Sequence, residues 1–184
     1  MFEMASMLLK MRQMEIGKGR MSLLGQPIGM ICLPTLLKLE QSLSSRGLPN
    51  ETYSVAKSAA EEWFLRMKNE YGITSLKELT KWSSTIISLA GWGNLSVKSL
   101  DLEKKRALLD FSDSSFAKAH GHSEHPVDNL VRGYTAGQYQ VILGTEVESV
   151  ETRCNAKGDP VCQFLIQPKE SFDLKDPEVK RQLP

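Results

Sequence analysis

The spacing of apolar residues changes at Gly91–Asn94, and this change constrains the fold more than any other feature of the sequence. Before it, apolar side chains recur every three or four residues, which predicts helices over residues 34–47, 50–71 and 75–89. After it, alternating apolar residues predict two strands on either side of a charged turn at residues 103–106. Helices followed by strands are typical of an α+β fold.

The second half of the chain predicts one more helix and one more hairpin. A polar segment at residues 112–126 precedes an apolar pattern that predicts a helix over residues 126–143. Two strands, residues 146–154 and 160–166, are joined by a turn at residues 157–159. We therefore expect a single α+β domain in which helices cover an antiparallel sheet.

Both ends of the sequence differ from this central domain. Residues 1–15 carry an apolar stripe at helical spacing, formed by Met4, Met7, Leu8, Met11 and Met14. The stripe predicts an N-terminal amphipathic helix that either packs on the domain or offers an adaptable surface to a partner or apolar ligand. Residues 16–168 form the expected ligand-binding domain. The charged, proline-interrupted residues 169–184 predict a flexible tail.

Charge and apolar patterning exclude several classes of protein. The chain has 23 basic and 22 acidic residues, a net charge of +1, so no basic surplus indicates nucleic-acid binding. The most apolar stretch, residues 22–39, is interrupted by Pro27 and Pro34, and we therefore expect no transmembrane segment. Three cysteines and no secretory signal predict reduced thiols in a cytoplasmic protein.

The last predicted hairpin carries the residues best suited to chemistry. A fold at Gly158 would place Cys154 and Cys162 nearly opposite each other, with Glu151 close by. Two thiolates and a carboxylate form most of a tetrahedral zinc site. The alternative is that the two cysteines are small buried residues, since a free cysteine packs as a small hydrophobe.

A longer pattern surrounds these residues, over residues 126–168. It comprises Val131-Arg132-Gly133-Tyr134-Thr135-Ala136-Gly137-Gln138-Tyr139, then Leu143-Gly144, then Glu151-x2-Cys154-x4-Gly158-Asp159-x2-Cys162-x-Phe164. This pattern resembles the C-terminal half of the 4-vinyl reductase domain family. The resemblance implies an α+β fold, usually dimeric, that is shared with TRAPP vesicle-tethering core subunits and with sensory domains of phenol-responsive transcription activators.

The resemblance also implies a zinc site. In the sensory members, zinc is held by the glutamate, the two hairpin cysteines and a third cysteine at the start of the preceding helix. Glu151, Cys154 and Cys162 match three of these positions, and Asp128 stands at the fourth. Aspartate is a harder ligand than thiolate, so the resemblance implies a weaker site here.

Several other residues remain open to two interpretations. His122 and His125 are alternative zinc donors, although exposed histidines of a polar loop are the more common case. In the trafficking subunits an acylated cysteine lines an apolar channel, but for Cys32 we expect a buried structural thiol. Gly133 and Gly137 lie one turn apart and predict that their helix approaches another element closely.

The favoured function is a stand-alone small-molecule-binding or sensory domain with an apolar pocket and a structural zinc. Trp63, Trp82 and Trp92 are candidates for the lining of that pocket. The alternative is a TRAPP-like scaffold that acts through dimer and partner interfaces. We expect no catalysis, because no nucleophile–base pair or dinucleotide fingerprint is present. An enzyme or carrier of tetrapyrrole biosynthesis is the least favoured interpretation.

Overall fold

The computed structural model describes residues 14–184, and all structural statements below refer to them. The predicted helix over residues 1–15 therefore lies outside the described residues, except for Met14 and Glu15. These two begin strand β1 (Met14–Gly17). β1 forms a small antiparallel sheet with β2 (Arg20–Leu23) and β3 (Gln26–Pro27), in the order β1-β2-β3.

Three helices follow in the positions that the apolar spacing predicts. They are α1 (Leu33–Ser45), α2 (Glu51–Glu70) and α3 (Leu76–Leu89). Tyr53, Ala56, Ala60, Phe64 and Met67 are the buried residues of α2. Their spacing of three and four residues gives the helix one apolar face.

A four-stranded antiparallel sheet forms the second half, as predicted. Its strands are β4 (Asn94–Asp101), β5 (Arg106–Ser112), β6 (Glu148–Arg153) and β7 (Cys162–Gln167), in the order β4-β5-β7-β6. Alternate residues of β5 and β7, among them Leu109, Phe111 and Phe164, have no exposed surface and form the core with the helices. The prediction of an α+β domain with an antiparallel sheet under helices is confirmed.

The polar segment between β5 and the next helix contains a short helix that the sequence analysis missed. Helix α4 (Ser115–His120) begins after Ser114, whose hydroxyl accepts a hydrogen bond from the Ala117 N–H. Phe116 and Ala117 are buried against the core. A serine cap and two buried side chains are sufficient to form a short helix in an otherwise polar stretch.

Helix α5 (Asn129–Leu143) crosses α2 with its backbone in direct contact. A methyl group on Gly133 or Gly137 would collide with the carbonyl oxygen of Tyr53 or Lys57, respectively. The expected close approach at these two glycines is therefore present, and the neighbour is a helix. The helix begins three residues later than predicted, because the N–H of Asp128 bonds to Glu151.

Residues 169–184, expected to be a flexible tail, pack against the sheet. They contain a 3₁₀ turn (Lys169–Ser171) and helix α6 (Pro177–Gln182). Phe172 and Leu183 are each 7% exposed and form a small apolar cluster with Val150 of β6. Within residues 14–184, no helix is long and apolar enough to cross a membrane.

Candidate metal centre

Four predicted site residues meet at one buried point. Asp128 lies directly before α5, Glu151 is on β6, Cys154 follows β6, and Cys162 begins β7. One ligand atom from each lies within 4.8 Å of the others, and all four residues are buried. The last strand pair is Arg153–Gln163, which leaves the two cysteines at the next opposing position.

The turn between the cysteines is held by its own polar groups. The Asn155 N–H donates to Cys162 Sγ at 3.2 Å, and Cys162 Sγ donates to Asn155 Oδ1 at 3.3 Å. Asp159 Oδ2 accepts from the Cys154 N–H at 2.8 Å. Gly158 has a φ of 99°, a conformation that side-chain-bearing residues rarely adopt. These contacts fix both sulfur atoms, and an amide donor on a sulfur favours the thiolate form.

The two carboxylates share an unusual arrangement. Asp128 Oδ1 accepts from Ser114 Oγ at 2.6 Å, and Glu151 Oε2 accepts from the Asp128 N–H at 3.1 Å. The other oxygen of each group, Asp128 Oδ2 and Glu151 Oε1, is buried without any hydrogen-bond partner among the described residues. Each carboxylate is thus oriented through one oxygen and leaves the second unsatisfied, as metal-ligating carboxylates do.

The electrostatics of the cluster are unfavourable without a cation. Burial raises the pKa of both carboxyl groups, and the nearby Asp128 raises the pKa of Glu151 further. A hydrogen bond from Cys162 lowers the pKa of Cys154 to about 6, and the same bond, with burial, raises the pKa of Cys162. Four acidic groups this close cannot all ionise alone, but a divalent cation would allow it.

The histidines and Cys32 lie elsewhere. His122 and His125 are exposed and are not part of the four-residue cluster. His125 Nδ1 instead lies 3.3 Å from Glu178 Oε1. Cys32 is exposed at the N-cap of α1, so the expectation that it is buried was wrong. It follows the interrupted apolar stretch, where Met30 and Ile31 are also exposed.

A buried arginine lies beside the cluster, and the sequence analysis did not identify it. Arg132 has no exposed surface and lies one turn after Asp128 on α5. Its guanidinium donates to the carbonyls of Ser149 at 2.6 Å and Gln182 at 2.7 Å. The guanidinium carbon lies 4.0 Å from the centre of the Tyr53 ring. Arg132 therefore joins α5, β6, α6 and α2 beside the candidate metal site.

The predicted aromatic residues form a half-buried group. Trp92 packs edge-on against Tyr134 at 5.2 Å and against Phe116 at 5.9 Å between ring centres. Trp63 lies 6.4 Å from Tyr134, while Trp82 packs on the core separately. Two open clefts, of about 460 and 600 Å³, lie elsewhere on the molecule. Neither is the enclosed apolar pocket expected from the sequence, so that pocket stays a prediction.

Comparison with known proteins agrees with this architecture. The phenol-responsive sensory domain of the transcription activator PoxR, solved with phenol, superposes with a TM-score of 0.79 at 16% identity, covering 98% of each chain. A vinyl-4-reductase family protein from Methanocaldococcus jannaschii gives a TM-score of 0.53 at 17% identity, over 76% of this chain and 83% of the other. At these identities the likeness shows a shared fold.

A third solved structure and the sequence comparisons complete the findings. Trafficking protein particle complex subunit 3 from Naegleria fowleri, covalently bound to palmitic acid, gives a TM-score of 0.46 at 14% identity, over 77% of this chain and 97% of the other. No curated protein matches the sequence. Residues 109–168 match the vinyl-4-reductase domain. The chain thus carries this domain over these residues, which confirms the resemblance to the 4-vinyl reductase domain family.

Proposed function

We propose that this chain is a non-catalytic domain that binds a small molecule and is stabilised by one structural zinc ion. The observation that carries the proposal is the buried cluster of Asp128, Glu151, Cys154 and Cys162, with its two unsatisfied carboxylate oxygens. Two sulfur and two oxygen donors match the ligand types and the number that structural zinc takes.

The zinc would have a structural role, because the cluster supplies four protein ligands and all four are buried. Catalytic zinc sites keep one position open for water or substrate. Here the ion would neutralise the four acidic groups and fix the β6–β7 hairpin to the start of α5 through Asp128. One oxygen of each carboxylate and the Asn155 amide already hold the ligands in place.

The test is native mass spectrometry of the full chain purified without added metal, repeated under denaturing conditions. We expect a mass excess of one zinc per chain that disappears on denaturation. Cys162→Ala should lose the excess, and Cys32→Ala, at the exposed thiol, should keep it. A wild-type chain that stays metal-free after incubation with zinc would contradict the proposal.

The small-molecule half of the proposal is supported by the likeness to a phenol-responsive sensory domain over 98% of the chain. We place a small hydrophobic ligand beside the half-buried aromatic group of Trp63, Trp92, Phe116 and Tyr134. Flat apolar rings at a centre-to-centre spacing of about 5–7 Å are favourable neighbours for another ring.

Tryptophan fluorescence during titration with phenol tests this placement. We expect quenching that saturates and that is strongly reduced in Trp92→Phe. Trp82→Phe is the matched control, because Trp82 is also half-buried but lies outside the group. Equal quenching in both variants would remove the aromatic group as the ligand site.

A TRAPP-like scaffold, acting through dimer and partner interfaces, remains the second candidate, and one observation favours it. Apolar side chains are exposed in the segment before α1, at Ile16 (60%), Met30 (87%) and Ile31 (56%). Exposed apolar residues that lie close together mark interaction surfaces. We propose that they contact a second copy of the chain. Light scattering after size exclusion should give a dimer for wild type and a monomer for Ile31→Asp, with Leu174→Asp unchanged.

A further inference from the structure

An open cleft lies beside the metal centre, between α1, the segment that precedes α5, and α6. Its volume is about 460 Å³, within the range of small-molecule sites. One wall is apolar, formed by Leu37, Pro49, Pro126 and Val127. Polar side chains of α1, of the α4–α5 segment and of α6 form the rest, including Glu40, Gln41, Ser44, His120, His125, Asn129 and Arg181.

Glu40 is the exceptional residue of this cleft. Its Oε1 atom is buried and has no hydrogen-bond partner, and none of the ion pairs among the described residues includes it. A carboxylate removed from water without a partner is costly, so the geometry calls for a cation or a hydrogen-bond donor at this point. Arg132, the cation that lowers the pKa of Glu40, already donates to two carbonyls and to Asn129 Oδ1.

The local field has the same sign. Burial raises the pKa of Glu40 to about 7, the negative charge of Asp128 contributes to the rise, and Arg132 opposes it in part. A site in which anions repel a carboxylate also attracts a cation.

The shape of the cleft distinguishes an organic cation from a metal ion. In the described part of the chain, the donor atoms close enough to hold a metal belong to Asp128, Glu151, Cys154 and Cys162. Among the described residues that line the 460 Å³ cleft, Glu40 is the only carboxylate, and an apolar wall lies beside it. A single carboxylate with an apolar wall fits a charged head attached to a hydrocarbon body.

We propose that this cleft binds a small organic amine, with its ammonium group on Glu40 and its apolar body against Leu37, Pro126 and Val127. The site is separate from the aromatic group and from the zinc ligands, so the inference goes beyond the proposed function. It adds a second ligand class, recognised by charge rather than by ring packing.

The experiment uses the zinc-loaded full chain and two probes of nearly equal shape, benzylamine and benzyl alcohol, followed by amide chemical-shift mapping. We expect benzylamine to shift the amides of Glu40, Val127 and Asn129 and to bind about tenfold more tightly than the alcohol, because only the amine can form a charge-assisted bond to the carboxylate. Glu40→Gln should bring the amine down to the affinity of the alcohol. Glu103→Gln, on the exposed β4–β5 turn, should leave both affinities unchanged.

Two further measurements keep the outcomes separate. Ser44→Phe, at an exposed position on the cleft wall, fills the cleft without removing the carboxylate and should abolish the benzylamine shifts. Phenol quenching and zinc content should be unaffected by Glu40→Gln, so their loss would count against the proposed function and not against the cleft. Equal binding of amine and alcohol, or an unchanged benzylamine affinity in Glu40→Gln, would overturn the inference.

Discussion

The metal centre and the Glu40 cleft are two neighbouring sites built around buried carboxyl groups, and they differ in how their donors converge. At the metal centre, ligand atoms of four buried acidic side chains lie within 4.8 Å of one another. In the cleft, Glu40 is the one carboxylate among the described lining residues, beside about 460 Å³ of open space. Convergence without volume selects a metal ion, whereas volume with one charge selects an organic cation.

Arg132 is the residue that the two sites share. It lowers the pKa of Glu40, and Glu151 is one of the anions that stabilise its own charge. Its guanidinium is fully buried and donates to acceptors on β6, α6 and α5. The two sites are therefore separate in ligand chemistry but joined through one cation, and substitutions can test each part of this statement.

The largest expected effect comes from removing a thiol of the metal centre. Cys154→Ala or Cys162→Ala should lower the free energy of unfolding of the zinc-loaded chain by about 4 kcal/mol or more, because zinc then no longer stabilises the folded state. In a chain of this size that corresponds to roughly 10 °C in thermal unfolding.

Cys32→Ala supplies the control for that measurement, since Cys32 is exposed and lies outside the cluster. It should unfold within about 1 °C of wild type, as isolated surface substitutions do. Equal losses of stability in all three variants would rule out a structural metal at Cys154 and Cys162. Benzylamine binding should survive in the folded fraction of each variant if the two sites are separate.

Arg132→Met tests the shared cation and should have the next largest effect. It leaves the carbonyls of Ser149 and Gln182 without their buried donor, and it removes the charge that offsets Glu40. We expect a loss of about 3–5 kcal/mol, as when one partner of a buried charged network is removed. Chemical denaturation measures the loss.

Arg132→Lys is the informative comparison for this prediction. It keeps the charge but loses the fork that contacts two carbonyls at once. Stability equal to wild type in Arg132→Lys would show that charge alone matters, and would contradict the role assigned to the guanidinium geometry.

Asp128 sets the affinity of the metal centre, and two substitutions should move it in opposite directions. Asp128→Cys supplies a third thiolate and should tighten zinc binding about ten- to a hundredfold, because thiolate is the softer ligand. Asp128→Asn can keep the hydrogen bond from Ser114 but loses the charge, and it should weaken binding by a similar factor. Competition against a chelator gives both values.

Cobalt substitution checks that Asp128 acts as a ligand. The charge-transfer absorption of the cobalt-loaded protein should gain intensity in Asp128→Cys, since one more sulfur then coordinates the ion. Unchanged affinity in Asp128→Asn together with an unchanged spectrum in Asp128→Cys would place Asp128 outside the coordination sphere.

Much of the fold follows from local patterns that a single sequence displays. The three-to-four residue spacing in α2 and α3 and the alternation in β5 each record one buried face. Helix α4 was missed because only two of its residues are buried, too few to produce a period. The packing of residues 169–184 depends on Phe172 and Leu183, two isolated apolar residues whose partner, Val150, is distant in sequence.

The candidate site divides in the same way. Glu151, Cys154 and Cys162 were identified because a hairpin places them close together, and Asp128 because the family pattern marks its position. Ser114, Arg132 and Glu40 were not identified, since each contributes through contacts across the fold. Arg132 sits within an otherwise apolar and small-residue stretch of α5, and a charged residue there was the one available signal.

The smallest expected effect belongs to Glu40, and it is a dependence on pH. Burial raises its pKa from an ordinary 4.5 to about 7, with Asp128 adding to the rise and Arg132 opposing it. The folded chain therefore binds more protons than the unfolded chain between these values, so this carboxyl lowers stability as the pH rises from 4.5 to 7. Glu40→Gln removes that loss and should gain about 1–2 kcal/mol relative to wild type on going from about pH 5 to about pH 8. Denaturation curves at both pH values measure the gain, with Glu103→Gln as the exposed control. Parallel behaviour of the two variants would mean that Glu40 is already paired in the folded chain, and the cleft would then lose the unpaired charge that distinguishes it from the metal centre.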